Sequence, residues 1–157
     1  MSTNSKNQNL TKSGLPWHAW IIGGIFLLYS LAAAFDSAMS FIQGADYFKA
    51  SGMNEMQISY FSNLPFLATL GMTICIWGGL LASIGLLMRK PVSARLFFIA
   101  VVSNLLYLIY AYLLSDGIAA MGVLWPMPIV ISAMMIGMIF YCRRVTQVNG
   151  NNAKAAG

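Results

Sequence analysis

Residues Pro65–Met88 read PFLATLGMTICIWGGLLASIGLLM and are followed at once by Arg89-Lys90-Pro91. Twenty-four residues without a charge exceed the ~20 helical residues that a hydrocarbon core requires. The basic corner that ends the run then marks one side of the membrane. Working outward, three further apolar stretches match it, so the four segments run over about 17–39, 65–88, 92–114 and 119–142. The expected fold is all-α, an integral-membrane, up-down four-helix bundle spanning residues 16–145, with an outer loop at 40–64.

Charge gives the orientation. Lys6, Lys12, Arg89, Lys90, Arg95, Arg143, Arg144 and Lys154 lie at the two termini and around the second connection. Asp36, Asp46, Glu55 and Asp116, with only Lys49 among the basic residues, lie at or near the first and third. Short loops rich in Lys and Arg stay cytoplasmic, so both termini are expected inside and the acidic loops outside. With 59% hydrophobic and 8% charged residues in 157, the chain is far from the ~25% charged residues of soluble domains. The net charge of +5 is therefore a topology signal with some attraction for anionic headgroups, and nucleic acid is not an expected partner.

The polar runs 1–15 and 146–157 are expected to be disordered cytoplasmic tails. A competing reading makes Ala32-Ala33-Ala34 a signal-peptidase site, but the apolar run starts as far in as Trp17 and is long for a signal-peptide core. Cys75 and Cys142 both sit in apolar stretches, which argues against structural disulfides and against a thiol-oxidising enzyme.

Packing can be read from the second segment. Gly71, Cys75, Gly78, Ala82 and Gly85 recur at spacings of four and three and share one narrow face. In lipid, small residues let helix backbones approach closely, so this face should receive a neighbouring helix. The short corner at Arg89-Lys90-Pro91 and the turn at Ser115-Asp116-Gly117 make successive segments antiparallel neighbours. In the long outer loop Asn54, with Gln57 three residues on, can cap a short helix whose Met56, Tyr60 and Phe61 lie on the membrane surface or over the bundle mouth.

The fourth segment opens with Gly122-Val123-Leu124-Trp125-Pro126-Met127-Pro128. Two readings stand. If helical throughout, the prolines free the carbonyls of Gly122 and Leu124, which then need partners. Alternatively the helix begins at Pro126 or Pro128, leaving about fifteen to seventeen residues up to Cys142, a little short for a span.

Asp36 is the side chain of greatest chemical interest. It shares a face of the first helix with Tyr29, Ser40 and Gln43. An acid inside the membrane faces the bundle interior and marks a solute, ion or proton route. An acid at the helix end is simply hydrated, and at ~25 Å along the axis from Ala19 the residue lies near the outer edge of a ~30 Å core. Both readings stay open. Asn104 on the third helix should make an interhelical hydrogen bond worth ~0.6–2 kcal/mol. Tyr107 is deep enough to line a cavity, whereas Tyr110 and Tyr112 suit an interfacial belt. Together Asp36, Tyr29, Tyr107, Trp125 and Trp77 form the candidate solute-binding set, a lining that suits a neutral polyol or a small cation. Eleven methionines and the pair Met53 and Met56 offer a weak Cu(I) signal. His18 between Trp17 and Trp20 reads as an interfacial anchor. No metal cluster, nucleotide loop or catalytic triad can be assembled, so neither an enzyme nor a bound cofactor is expected.

Ala34-Phe35-Asp36, Tyr60-Phe61 with Pro65, and Trp77 through Ser83 resemble a family of small four-helix proteobacterial inner-membrane proteins often labelled "sugar transporter". There is a more distant likeness to DoxX-like proteins. The likeness covers about residues 17–144. It implies a bacterial inner membrane and a role for Asp36 beyond ending a helix. Three functions follow as expectations: a sugar-like small-solute permease, a non-transporting accessory or assembly subunit packing through Gly71–Gly85, and a DoxX-like role beside a quinone-linked complex. Four helices are too few for paired-repeat alternating access, so a permease would work as a homo-oligomer, parallel because of the charge bias.

Overall fold

The computed structural model describes residues 17–88 and 90–154, with side chains described to Arg144. The expected tail at 1–15, and Arg89 of the basic corner, lie outside the described residues. Among the described residues the secondary structure is all helical, with four helices long and apolar enough to cross a membrane, Trp17–Gln43, Phe66–Leu87, Ser93–Leu114 and Met127–Arg144. We label the elements α1 (Trp17–Gln43), α2 (Ala45–Ala50), α3 (Glu55–Ser62), α4 (Phe66–Leu87), α5 (Ser93–Ile109), α6 (Gly117–Met121) and α7 (Met127–Lys154).

Three boundaries differ from the sequence reading. Helix α1 runs to Gln43 rather than residue 39, so Asp36 sits seven residues inside its C-terminal end. The fourth segment is not continuous from 119. Short helix α6 gives way to a 3₁₀ turn at Gly122–Leu124, and α7 starts at Met127. This is the second of the two proline readings: Pro126 and Pro128 occupy the entry and first turn of α7, where a missing amide costs nothing. The carbonyl of Gly122 is taken by the amide of Trp125 at 3.2 Å. Finally, α7 remains helical to Lys154, beyond residue 146 where a disordered tail was expected to begin.

Neighbours in the chain pack on one another. The most extensive pairing is α4 with α5, followed by α1 with α4 and α5 with α7. The small residues of α4 explain why. A methyl group placed on Gly71 would stand 2.6 Å from the Ser103 carbonyl oxygen, one on Gly78 would stand 3.4 Å from Ala100 Cβ, and one on Gly85 would stand 3.0 Å from Ser93 Oγ. The α4 backbone therefore lies against α5 over four turns, gaining dispersion contacts that lipid tails would not supply. Gly79 and Cys75 face α7 instead, where a methyl on Gly79 would come within 2.8 Å of Met135 Cε. Ala82 is fully buried in the same core.

The corner between α4 and α5 is tied by the Lys90 amide on the Gly85 carbonyl at 2.8 Å and by Ser93 Oγ on the Lys90 carbonyl at 2.6 Å. Near this corner the helices close on a dense core of Phe26, Leu86, Phe97, Met138 and Cys142. The Phe26 and Phe97 rings meet edge-on at 5.4 Å. At the opposite end a second cluster gathers Ala68, Tyr107, Ala111 and Met121, with Phe61 packed on it.

Candidate functional site

A cavity of about 710 Å³ lies where the two clusters meet, walled by all four long helices. Helix α1 contributes Tyr29, Ser30, Ala33 and Asp36; α4 contributes Met72, Cys75 and Ile76; α5 contributes Asn104 and Tyr107. The α7 wall is Met127, Pro128, Ile131 and Met135. The 40–64 connection partly covers it with Ser51, Gly52, Met53, Gln57 and Phe61. The lining is predominantly apolar, with its polar groups confined to a few positions.

The roof follows from local sequence. Gly44 at φ 56° and Gly52 at φ 78° take left-handed backbone conformations open to glycine at no steric cost, and they set the turns on either side of α2. Asn54 accepts from the Gln57 amide at 2.9 Å while Gln57 Oε1 accepts from the Asn54 amide at 3.0 Å, the reciprocal cap expected from their spacing. Of the three residues expected on α3's apolar side, Phe61 turns into the cavity, Tyr60 is half-buried and Met56 is exposed.

Asp36 stands at the rim. Its side chain is solvent-exposed, and its Oδ1 accepts a hydrogen bond from the Tyr47 hydroxyl at 2.7 Å. That bond ties α2 to α1. The Asp36 carboxylate raises the Tyr47 pKa above the ordinary 10.0, chiefly by accepting this hydrogen bond. Tyr29, two turns before Asp36 on the same face, is half-exposed and forms the α1 wall below it.

Opposite lies a buried polar pair. Asn104 Nδ2 donates to Ser132 Oγ at 2.8 Å, and Ser132 Oγ donates in turn to the Pro128 carbonyl at 2.9 Å. The interhelical bond expected of Asn104 is thus made to α7, and it fixes the entry turn of that helix against α5. Tyr107 is buried beside it and donates to Met121 Sδ at 3.8 Å.

Of the five residues singled out as solute-binding, Asp36, Tyr29 and Tyr107 line the cavity and Trp77 and Trp125 do not. Trp77 is two positions on from Cys75, which turns it about 200° around α4 to the outer surface, where it is 42% exposed. A helix continuous through Pro126 would put Trp125 on one face with Pro128 and Ser132. The 3₁₀ break rotates it away, and its carbonyl instead accepts from the Tyr112 hydroxyl, with the two rings edge-on at 6.5 Å. That contact pins the π-helical turn that follows α5, Tyr110–Leu114, to the break.

The lining residues not anticipated include a set of sulfur-bearing side chains. Met53, Met72, Met121, Met127, Met135 and Cys75 all border the cavity. Composition signals many methionines, but only the tertiary packing of α4, α6, α7 and the 51–53 turn around one cavity gathers these. Gln57 serves as both cap and wall.

No family model, no curated protein and no solved structure matches this chain.

Proposed function

We propose that the protein is a four-span bacterial inner-membrane protein with both termini cytoplasmic, and that its cavity binds a small solute presented from the outer side for passage across the membrane. The observation that carries this reading is the cavity itself, walled by the four long helices, covered by the 51–53 turn and α3, and backed by the dense core around Phe97. The charge distribution supports the orientation, since the basic α4–α5 corner lies at the closed end and Asp36 at the roofed end. A binding site at mid-bundle, shut on one side, is the arrangement one state of a carrier requires.

The lining narrows the solute class. A polyol needs hydrogen-bonding partners around most of its surface, and most of this wall offers none. Tyr29, Tyr107 and Phe61 with an acid at the mouth suit a solute with an apolar body and a single positive charge better than a sugar. Copies in one membrane share an orientation, so the carrier would be a parallel homo-oligomer. The exposed apolar faces of α1 and α7, the outer members of the packing order, are the natural seams. The accessory-subunit alternative relied on the Gly71–Gly85 face for docking, and that face is covered by α5 and α7. The quinone-linked alternative gains no support from this geometry.

Proteoliposomes loaded at low ionic strength test the reading with radiolabelled tetraethylammonium and with xylose as the neutral comparison. We expect protein-dependent tetraethylammonium uptake that Asp36→Asn lowers at least tenfold at an unchanged amount of reconstituted protein. Uptake of neither solute, or uptake indifferent to Asp36→Asn and Tyr107→Leu, would overturn it.

A further inference from the structure

Six soft-donor side chains, five thioethers and one thiol, border a single cavity. At its wall Cys75 Sγ and Met135 Sδ, from α4 and α7, approach to 3.9 Å. Two metal–sulfur bonds of about 2.3 Å spanning that distance close at an angle of about 116°, near trigonal. A third sulfur is within reach. Met72 lies three residues before Cys75, so the two side chains are neighbours on one helix face, and both border the cavity. Its unbranched thioether side chain can swing toward the pair without moving the backbone.

Charge then selects the ion. Thiol and thioether ligands favour thiophilic ions, and among the described residues no group of His, Cys, Asp and Glu offers a site for a harder one. Coordination would replace the Cys75 proton: the S–H bond breaks, the sulfur lone pair forms the metal–sulfur bond, and one proton leaves for solvent with no change of oxidation state. With a monovalent ion, one thiolate and two neutral thioethers, the product is electrically neutral. A divalent ion would leave a net positive charge away from water, which is unfavourable. Met127, at the entry to α7, and Met53, in the roof, place further thioethers between the mouth and this trio.

We propose that Cys75, Met135 and Met72 form a binding site for a monovalent thiophilic cation, of the Cu(I) or Ag(I) class, in the wall of the cavity. This goes beyond solute passage and does not rest on it, since the site is defined by equilibrium binding.

Ag(I), which needs no reductant, is the probe. Full-length protein in detergent, in chloride-free buffer, is titrated by calorimetry with proton release followed in parallel, using the Cys142→Ser variant so that Cys75 is the only thiol. We expect one tight site, one proton released per ion, and an X-ray absorption spectrum with about three sulfur neighbours around the silver. Met135→Leu and Met72→Leu should each weaken binding at least tenfold. Both nearly conserve side-chain volume, so folding is retained, and Cys75→Ser should abolish proton release. Unchanged affinity in both methionine variants would reduce the site to a single thiol and overturn the proposal, as would oxygen or nitrogen neighbours in the spectrum. Because no flux is measured, failure of the permease reading would leave this result standing, and the reverse also holds.

Discussion

Adding one methyl group at Gly71 should be far more damaging than adding it at Gly78, seven residues along the same face. At Gly71 the new Cβ meets the Ser103 carbonyl oxygen at 2.6 Å and Leu106 Cβ at 3.3 Å. Ordinary contact begins at about 3.4 Å, so α4 and α5 must part locally by roughly 0.8 Å, and neither partner is the free end of a flexible side chain. Overpacking of that kind costs about 1–3 kcal/mol. At Gly78 the new Cβ already lies at 3.4 Å from Ala100 Cβ, an ordinary contact that adds dispersion without displacement. Gly78→Ala should therefore stay within about 0.5 kcal/mol of the parent. The assay is reversible unfolding in mixed micelles with increasing denaturing detergent, read by circular dichroism. A loss of ~2 kcal/mol in Gly71→Ala corresponds to roughly a 30-fold shift in the unfolding equilibrium. Equal stability of the two variants would refute the close approach of α4 to the α5 backbone, and with it the reason that α4 carries a stripe of small residues.

Four further outcomes follow. A double-mutant cycle on Asn104→Ala and Ser132→Ala should give a coupling of about 0.6–1.7 kcal/mol; additive effects would mean that the buried pair is not a bond across α5 and α7. In the uptake assay Trp77→Leu should match the parent while Tyr29→Leu is impaired, because only Tyr29 borders the cavity; the opposite order would place the site elsewhere. The Tyr47–Asp36 tie should be intact at neutral pH. Because the folded tyrosine pKa is raised, the tie is lost as pH climbs past 10.0 and through the raised value, and the 295 nm difference titration between parent and Tyr47→Phe should move down toward 10.0 in Asp36→Asn. Gly117→Ala places a methyl against the Ala111 carbonyl and 2.7 Å from the Tyr60 hydroxyl, so it should lower the unfolding midpoint and loosen the α3–α6 contact, whereas Gly137→Ala, with open space around it, should do neither.

The sequence by itself determined the four long apolar helices and the small-residue face of α4, because each depends on residue type at a fixed period: 3.6 residues per turn puts Gly71, Gly78 and Gly85 together whatever surrounds them. It also determined the Asn54–Gln57 cap, since both partners lie within one turn. It left open where α7 begins, because Pro126 and Pro128 are compatible with a kinked helix or a fresh start. Only the tertiary structure, with Tyr112 holding the Trp125 carbonyl and Asn104 holding Ser132, decided it. That decision moved Trp125 out of the candidate site. The cavity was likewise beyond the sequence, for its walls come from residues as far apart as Tyr29 and Met135. Whether Cys75 meets Met135 depends on the angle at which α7 settles on α4 and α5. Periodicity assigns a side chain to a face of its own helix, but which faces meet is fixed by close packing among helices, and that information resides in no single segment.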